Sequence, residues 1–410
     1  MTLDQAVSLA LEYDLPLRKI EIDLGASGYS ERNLWSLIFP SISANASVGY
    51  SGNLFSSAPA RGDSGLNYNV RLGITFALNA GIPYAMRSIR LAHQGNILRY
   101  DDARNQLSIQ VTKGFYSLVA EKNNLQLLEE ILSLAQRQYT RSQTLYRNGL
   151  IGEHSLIQSS LDVENARFNL STAGITHENN IADFLSMLGM PPDDNVTLSG
   201  EINIVRIEAD AEMLISEHLP RRPDIVRGMQ EIERLQNERM RIIMSDRAPS
   251  LSLSAEWGSS SFNPFVDSFS ARATLSIPIS PWIPGTSSSQ TISRASDSIE
   301  KARLDLEITE TSARTQIRSL SARLRNSWES IRIARLSLEA AQRSYQLTEQ
   351  GFMNGTVEAL TLQNARNNMA SSRQNLLRAE LSYFNMILDL SAAVNVDWKH
   401  FIQTFGVPGE

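Results

Sequence analysis

Cysteine is absent from this 410-residue chain. That excludes structural disulfides and thiolate metal sites. The histidines at 93, 154, 177, 218 and 400 are scattered, without metal-ligand spacing. No Gly-rich phosphate loop and no G-x-S-x-G elbow occurs, so no enzyme chemistry, metal or cofactor is expected. A strong excess of either charge is also lacking: the net charge is −6, with no basic footprint for nucleic acid. No apolar run approaches the about 20 residues of a membrane helix. Mean hydropathy is −0.21, which looks water-soluble, but a membrane β-barrel does not register on that scale. The chain opens MTLDQAVSLAL, without a basic n-region and apolar h-region. If the protein is exported, its signal peptide is expected to be absent from this sequence.

What is there is strict alternation, in two hairpin-like stretches, 40–83 and 249–284. Ile42, Ala44, Ala46, Val48 and Tyr50 alternate with polar residues, as do Tyr68, Val70, Leu72, Ile74, Phe76 and Leu78. The second stretch alternates Leu251, Leu253, Ala255 and Trp257, then Phe269, Ala271, Ala273, Leu275, Ile277 and Ile279. Successive strand side chains point to opposite faces, so each hairpin has one apolar and one polar face. Such a face packs on a soluble core or meets lipid. Segments of about ten alternating residues separated by turns are the pattern of outer-membrane strands. Aromatics near the strand ends (Tyr50, Phe55, Tyr68, Trp257, Phe262, Phe265, Phe269, Trp282) suit interfacial belts.

Between the hairpins the pattern is helical. Long helices are expected over 86–147 and 153–188, and again over 292–352 and 357–390. Val111, Leu118, Leu125, Leu132, Tyr139 and Tyr146 recur every seventh residue, and so do Ile317, Leu324, Ile331, Leu338, Tyr345 and Phe352. A sustained heptad of this kind is a coiled-coil seam. The two sets, and Gly149 and Gly355, stand at one constant offset, the mark of an internal duplication. The reading is therefore mostly α with β: a first repeat over 1–206, a second over 207–410, and mixed segments near 1–16, 189–222 (with a short strand at NVTLSG) and 391–410. Four strands cannot close a barrel, which needs about eight or more. Lipid tolerates no open strand edges. Strands that span a membrane would thus require oligomers, with eight strands as a dimer or twelve as a trimer.

The layout resembles the TolC-like outer membrane efflux family. TLDQAVSLALEYDLPL, LSMLGMPP (185–192), RRPDI (221–225) followed by APSLSL, and GTVEALTLQNA (355–365) are similar to family stretches in that order. The resemblance implies a homotrimer with a twelve-stranded barrel in the outer membrane, continued by a coiled-coil helical tunnel across the periplasm. It implies a passive exit duct for efflux or type I secretion, partnered by a periplasmic adaptor and an inner-membrane pump. The adaptor-facing tips would be Asn148, Gly149, Leu150, Ile151, Asn354, Gly355 and Thr356. The bore would carry Arg71, Arg272 and Glu256. Related channels often place two aspartates shortly after the second tip, ringing the closed aperture. Here those positions are Thr361 and Asn364, and the first-repeat counterpart is Ser155. A gate of packing and neutral hydrogen bonds, with weak cation preference, is expected, with Glu358 and Glu153 as nearby acids on solvated turns. His154 lies in the first tip, where protonation would add charge. The competing reading is a periplasmic coiled-coil adaptor or structural protein whose hairpins pack on each other.

Overall fold

A computed structural model describes residues 1–51, 65–192, 196–201, 204–262, 265–354 and 356–407. The chain is mostly helical, with a four-stranded sheet, and divides into two compact units. One unit comprises Met1–Glu21, Arg99–Val226 and Thr309–Glu410; the other comprises Ile22–Leu98 and Arg227–Ile308.

The first unit begins with α1 (Leu3–Tyr13). Thr2 caps it through a reciprocal box: its hydroxyl accepts from the Gln5 amide, and the Gln5 side chain accepts from the Thr2 amide. The chain then breaks at Leu15-Pro16 and restarts as α2 (Leu15–Arg32). Proline is tolerated in a first turn because its missing N–H has no helical partner there. Asp14 completes the start, its carboxylate accepting from the Leu17 amide at 2.8 Å.

The long helices are α3 (Ile82–Arg147) and α4 (Glu153–Met187), then α7 (Ser287–Met353) and α8 (Ala359–Ala393). Their heptad seams are buried at Val111 and Leu118 and at Ile317, Leu324 and Ile331. Toward the helix ends the seams open, and Tyr146 is exposed. Ala6, Ala10, Leu17, Val111, Phe115, Leu118, Phe184 and Leu188 form one core.

Short elements fill the rest of this unit: α5 (Ala211–His218), a 3-10 turn at Leu219–Arg221, α9 (Trp398–Phe405) and a two-stranded pair of β3 (Arg206–Ile207) with β6 (Gly406–Val407). The strand expected at NVTLSG is not there: residues 196–200 are irregular, and 195 lies outside the described residues. The alternation of Val196 and Leu198 reports burial of Leu198 against the α3 core rather than strand pairing. The segment is tied instead to the chain start, the Met1 amine donating to the Thr197 carbonyl at 2.7 Å and the Ser199 amide to the Met1 carbonyl at 3.0 Å. Tyr383, fully buried, accepts from the Ile207 amide at 2.8 Å and donates to the Val205 carbonyl at 3.1 Å.

The RRPDI stretch explains itself at the start of α6 (Pro223–Arg247). Arg222 grips Asp224 bidentately, at 3.0 and 2.7 Å, and also donates to the Ala393 carbonyl at the end of α8 and to Gln316 of α7. Burial pushes the Asp224 carboxyl up, but the Arg222 hydrogen bonds and charge outweigh it and hold the group below the ordinary carboxylate value. A lowered folded-state pKa adds stability above the ordinary value of 3.8, lost as pH falls through the folded-state value. Arg222→Met should therefore cost about 1–3 kcal/mol by removing the partner of a partly exposed Asp224, and should flatten the acid limb of unfolding followed by circular dichroism against pH.

In the second unit, β1 (Ser41–Ser51), β2 (Gly65–Asn79), β4 (Ser250–Phe262) and β5 (Phe265–Ser276) make one antiparallel sheet in the order β1-β2-β4-β5. It is open, with β1 and β5 at its edges. A 3-10 turn at Leu34–Ile38 precedes β1, and another at Ser280–Trp282 follows β5.

Candidate functional site: a two-faced sheet and a tip cleft

The register sorts the sheet by polarity. Leu72 pairs with Trp257, Ile74 with Ala255, Phe76 with Leu253 and Leu78 with Leu251. Across the next boundary Leu251 pairs with Leu275 and Trp257 with Phe269. On the other side, Ala44 pairs with Leu72 and Ile42 with Ile74. Directly opposed residues share a face, so one apolar face runs unbroken across four strands. Among the described residues it lies largely open: Ile42 is 69% exposed, Val48 75% and Phe269 72%.

The opposite face is polar. Asn45 lies beside Arg71, Gly73 beside Glu256, and Ser254 beside Arg272. The structure thus puts Arg71, Glu256 and Arg272 on one face. It also joins two of them, with Arg71 Nε 3.5 Å from Glu256 Oε1. Gly258, opposite Arg71, lets that side chain lie across the strand, since a Cβ there would meet Arg71 Cγ at 3.2 Å and the Val70 carbonyl at 3.1 Å. Of the aromatics expected in belts, Tyr50, Phe269 and Trp282 are exposed; Phe55 lies outside the described residues.

The helix tips lie in the first unit. Asn148-Gly149 ends α3 in a Schellman motif: Leu150 N–H donates to the Leu145 carbonyl, Gly149 N–H to that of Tyr146, both at 2.9 Å, and Gly149 has φ +69°. The LGMPP stretch ends α4 the same way at Gly189, φ +71°. After α7, Thr356 N–H donates back to the Gly351 carbonyl at 2.9 Å. Gly355 lies outside the described residues. Asn148, Gly149, Leu150, Asn354 and Thr356 are exposed, and Ile151 is half-buried.

A cleft of about 980 Å³ lies among the ends of α3, α4, α7 and α8. Ser155, Glu358 and His154 line it; Thr361 and Asn364 sit on the exposed side of the first two turns of α8. Glu358 is the N-cap residue of α8 but makes no side-chain cap. The cleft also contains what the sequence did not reveal. Arg366 of α8 is only 7% exposed, and its guanidinium is 3.3 Å from Asp162 of α4, which also accepts from Gln363. The tip cleft therefore also holds a charged contact beside the neutral positions named from the sequence. Burial raises the Asp162 pKa despite the Arg366 charge. Nearby, Tyr345 donates to Glu349 at 3.1 Å, and burial with the Glu349 charge pushes its phenol up to about 12. No local motif announces the Asp162–Arg366 pair, because its members are on different hairpins.

A family model described as outer membrane efflux protein matches residues 6–183 and 214–396. The chain belongs to the outer membrane efflux protein family. This family member is 25% identical over 414 residues to the probable efflux pump outer membrane protein TtgC of Pseudomonas putida, covering 97% of this chain and 83% of that one. It is equally similar to the antibiotic efflux pump outer membrane protein ArpC of Pseudomonas putida. The outer-membrane channel OprN shares its fold at a TM-score of 0.80 and 16% identity, over 97% of this chain and 90% of that one. The Campylobacter jejuni CmeC outer membrane channel does so at 0.78 and 16%, over 98% and 88%.

Proposed function

We propose that this chain is one third of a trimeric outer-membrane duct, the passive exit of a tripartite efflux or type I secretion system. The observation that carries the reading is the unbroken apolar face across β1-β2-β4-β5, exposed to its surroundings while the opposite face is polar. Lipid fits the first face and a water-filled bore the second. The open edges at β1 and β5 cannot stay unpaired in lipid, so copies must join edge to edge. Three copies give twelve strands. The relatives named as efflux pump outer membrane proteins support the same reading. The two separate stretches matched by one family model support an internal duplication. A periplasmic adaptor without a barrel would leave the apolar face exposed to water, which favours the duct.

In this reading Arg71, Glu256 and Arg272 face the bore. The tips at Asn148–Ile151 and Asn354–Thr356 face a periplasmic adaptor, and an inner-membrane pump supplies the energy. The periplasmic gate lies at the tips, with Ser155 and Glu358 in the cleft and Thr361 and Asn364 on the exposed side of α8. With Thr361 and Asn364 neutral, the aperture has weak cation preference. Single-channel recording with millimolar divalent cations on the helical side should show little block, less than about twofold in current; strong block would contradict this gate.

A further inference from the structure

We propose that Arg247 and Trp282 form a seat for the phosphate of a phospholipid headgroup at the helical end of the sheet; the proposal rests on the membrane reading above. The pairings of Asn79 with Ser250 and of Ser250 with Ser276 place the ends of β2 and β5 and the start of β4 at one end. The turn before β1, the end of α6 and the turn after β5 all join the sheet there. This end carries a rim of exposed apolar side chains. Trp35 and Phe39 stand edge to face at 5.2 Å, and Ile279, Trp282 and Ile283 are exposed, Trp282 at 63%.

Arg247, the last residue of α6, lies with its guanidinium 5.1 Å from the Trp282 ring centroid. Among the described residues no carboxylate lies within ion-pair distance of it, and its Nε is buried without a hydrogen-bond partner. Arg32 is exposed at the end of α2, two residues before the turn that precedes β1. Stacking on an indole holds a guanidinium in place but leaves its charge intact. A cation at the border of a lipid-facing surface reaches the headgroup layer, where water or an anion solvates it. Phospholipid phosphates lie at that depth, and the planar guanidinium matches a phosphate better than an ammonium would. The apolar rim selects a phosphate that carries acyl chains.

The test is native mass spectrometry of the intact protein released from a sugar-headgroup detergent, titrated with dioleoyl phosphatidylglycerol, with digalactosyl dioleoylglycerol, or with inorganic phosphate. Phosphatidylglycerol should be retained, the galactolipid should not, and millimolar phosphate should not displace the lipid. Arg247→Gln should weaken phosphatidylglycerol retention about tenfold, the loss of one charge-assisted hydrogen bond, with Arg247→Lys between the two. Equal retention by wild type and Arg247→Gln, or full displacement by phosphate, would overturn the seat. Vesicle flotation run alongside separates the two levels. A wild type that floats with an Arg247→Gln variant that binds normally defeats only this site, and a wild type that never floats defeats the membrane reading and the site together. Should Arg247→Gln fail to fold, the Arg247→Lys titration decides, retention equal to wild type counting against the seat.

Discussion

Arg366→Ala is expected to destabilise the helix tips by about 3–5 kcal/mol and, in the duct reading, to raise single-channel conductance. Arg366 is buried and faces Asp162, whose side chain is 11% exposed. Breaking a buried pair costs far more than a surface pair, because the remaining charge keeps its desolvation penalty. Asp162 is held by Arg366 together with Gln363 and Gln158, so the alanine variant leaves a carboxylate on α4 with neutral partners alone. Its pKa is already raised by burial and would rise further without the cation. A raised folded-state pKa means that the folded chain binds the proton more tightly than the unfolded one. Stability from this group is therefore present below the ordinary value of 3.8 and is lost as pH rises through the folded-state value. The variant should be least stable at neutral pH and partly recover in acid, opposite in sign to the Asp224 effect. Thermal unfolding against pH reads the stability; bilayer recording reads the gate. An Arg366→Ala protein with unchanged stability and unchanged conductance would remove the pair from any gating role.

Ile74→Arg should abolish insertion while Thr75→Arg is tolerated. The two residues are adjacent, but the register puts Ile74 beside Ala255 on the apolar face and Thr75 beside Ser254 on the polar one. A lipid-facing arginine near mid-depth costs about 2–4 kcal/mol per chain, and a trimer incurs it three times. A bore-facing arginine keeps its water and joins the charges of Arg71 and Arg272. Heat-resistant oligomer in membrane fractions measures the difference. If both variants insert equally, the apolar face does not meet lipid, and if Thr75→Arg alone fails, the faces have been assigned the wrong way round.

The strands and their faces were legible because a period of two is written locally, residue by residue. So were the breaks at Asn148-Gly149 and Leu15-Pro16, where one residue's backbone limits decide the outcome. Two-residue strands such as Arg206–Ile207 have no pattern to detect, and this one pairs with Gly406–Val407 at the other end of the chain. Helix α9 was missed within a tail too short to show its period. At the tips, the turn residues and Thr361, Asn364 and Ser155 could be named from spacing and family resemblance. Asp162 and Arg366 could not, because each alone reads as a charge on an amphipathic helix. Their meeting is a consequence of how α4 and α8 pack. Arg222 was visible as part of a motif, but its grip on the Ala393 carbonyl was not.

The central claim is that three chains close one water-filled barrel in lipid. Planar-bilayer recording of detergent-purified protein, with its mass determined in the same detergent, tests it most directly. Discrete conductance steps from a species of three chains are the predicted result. A non-conducting monomer or dimer that stays monodisperse without detergent would contradict it, and the apolar face of the sheet would then have to pack against protein.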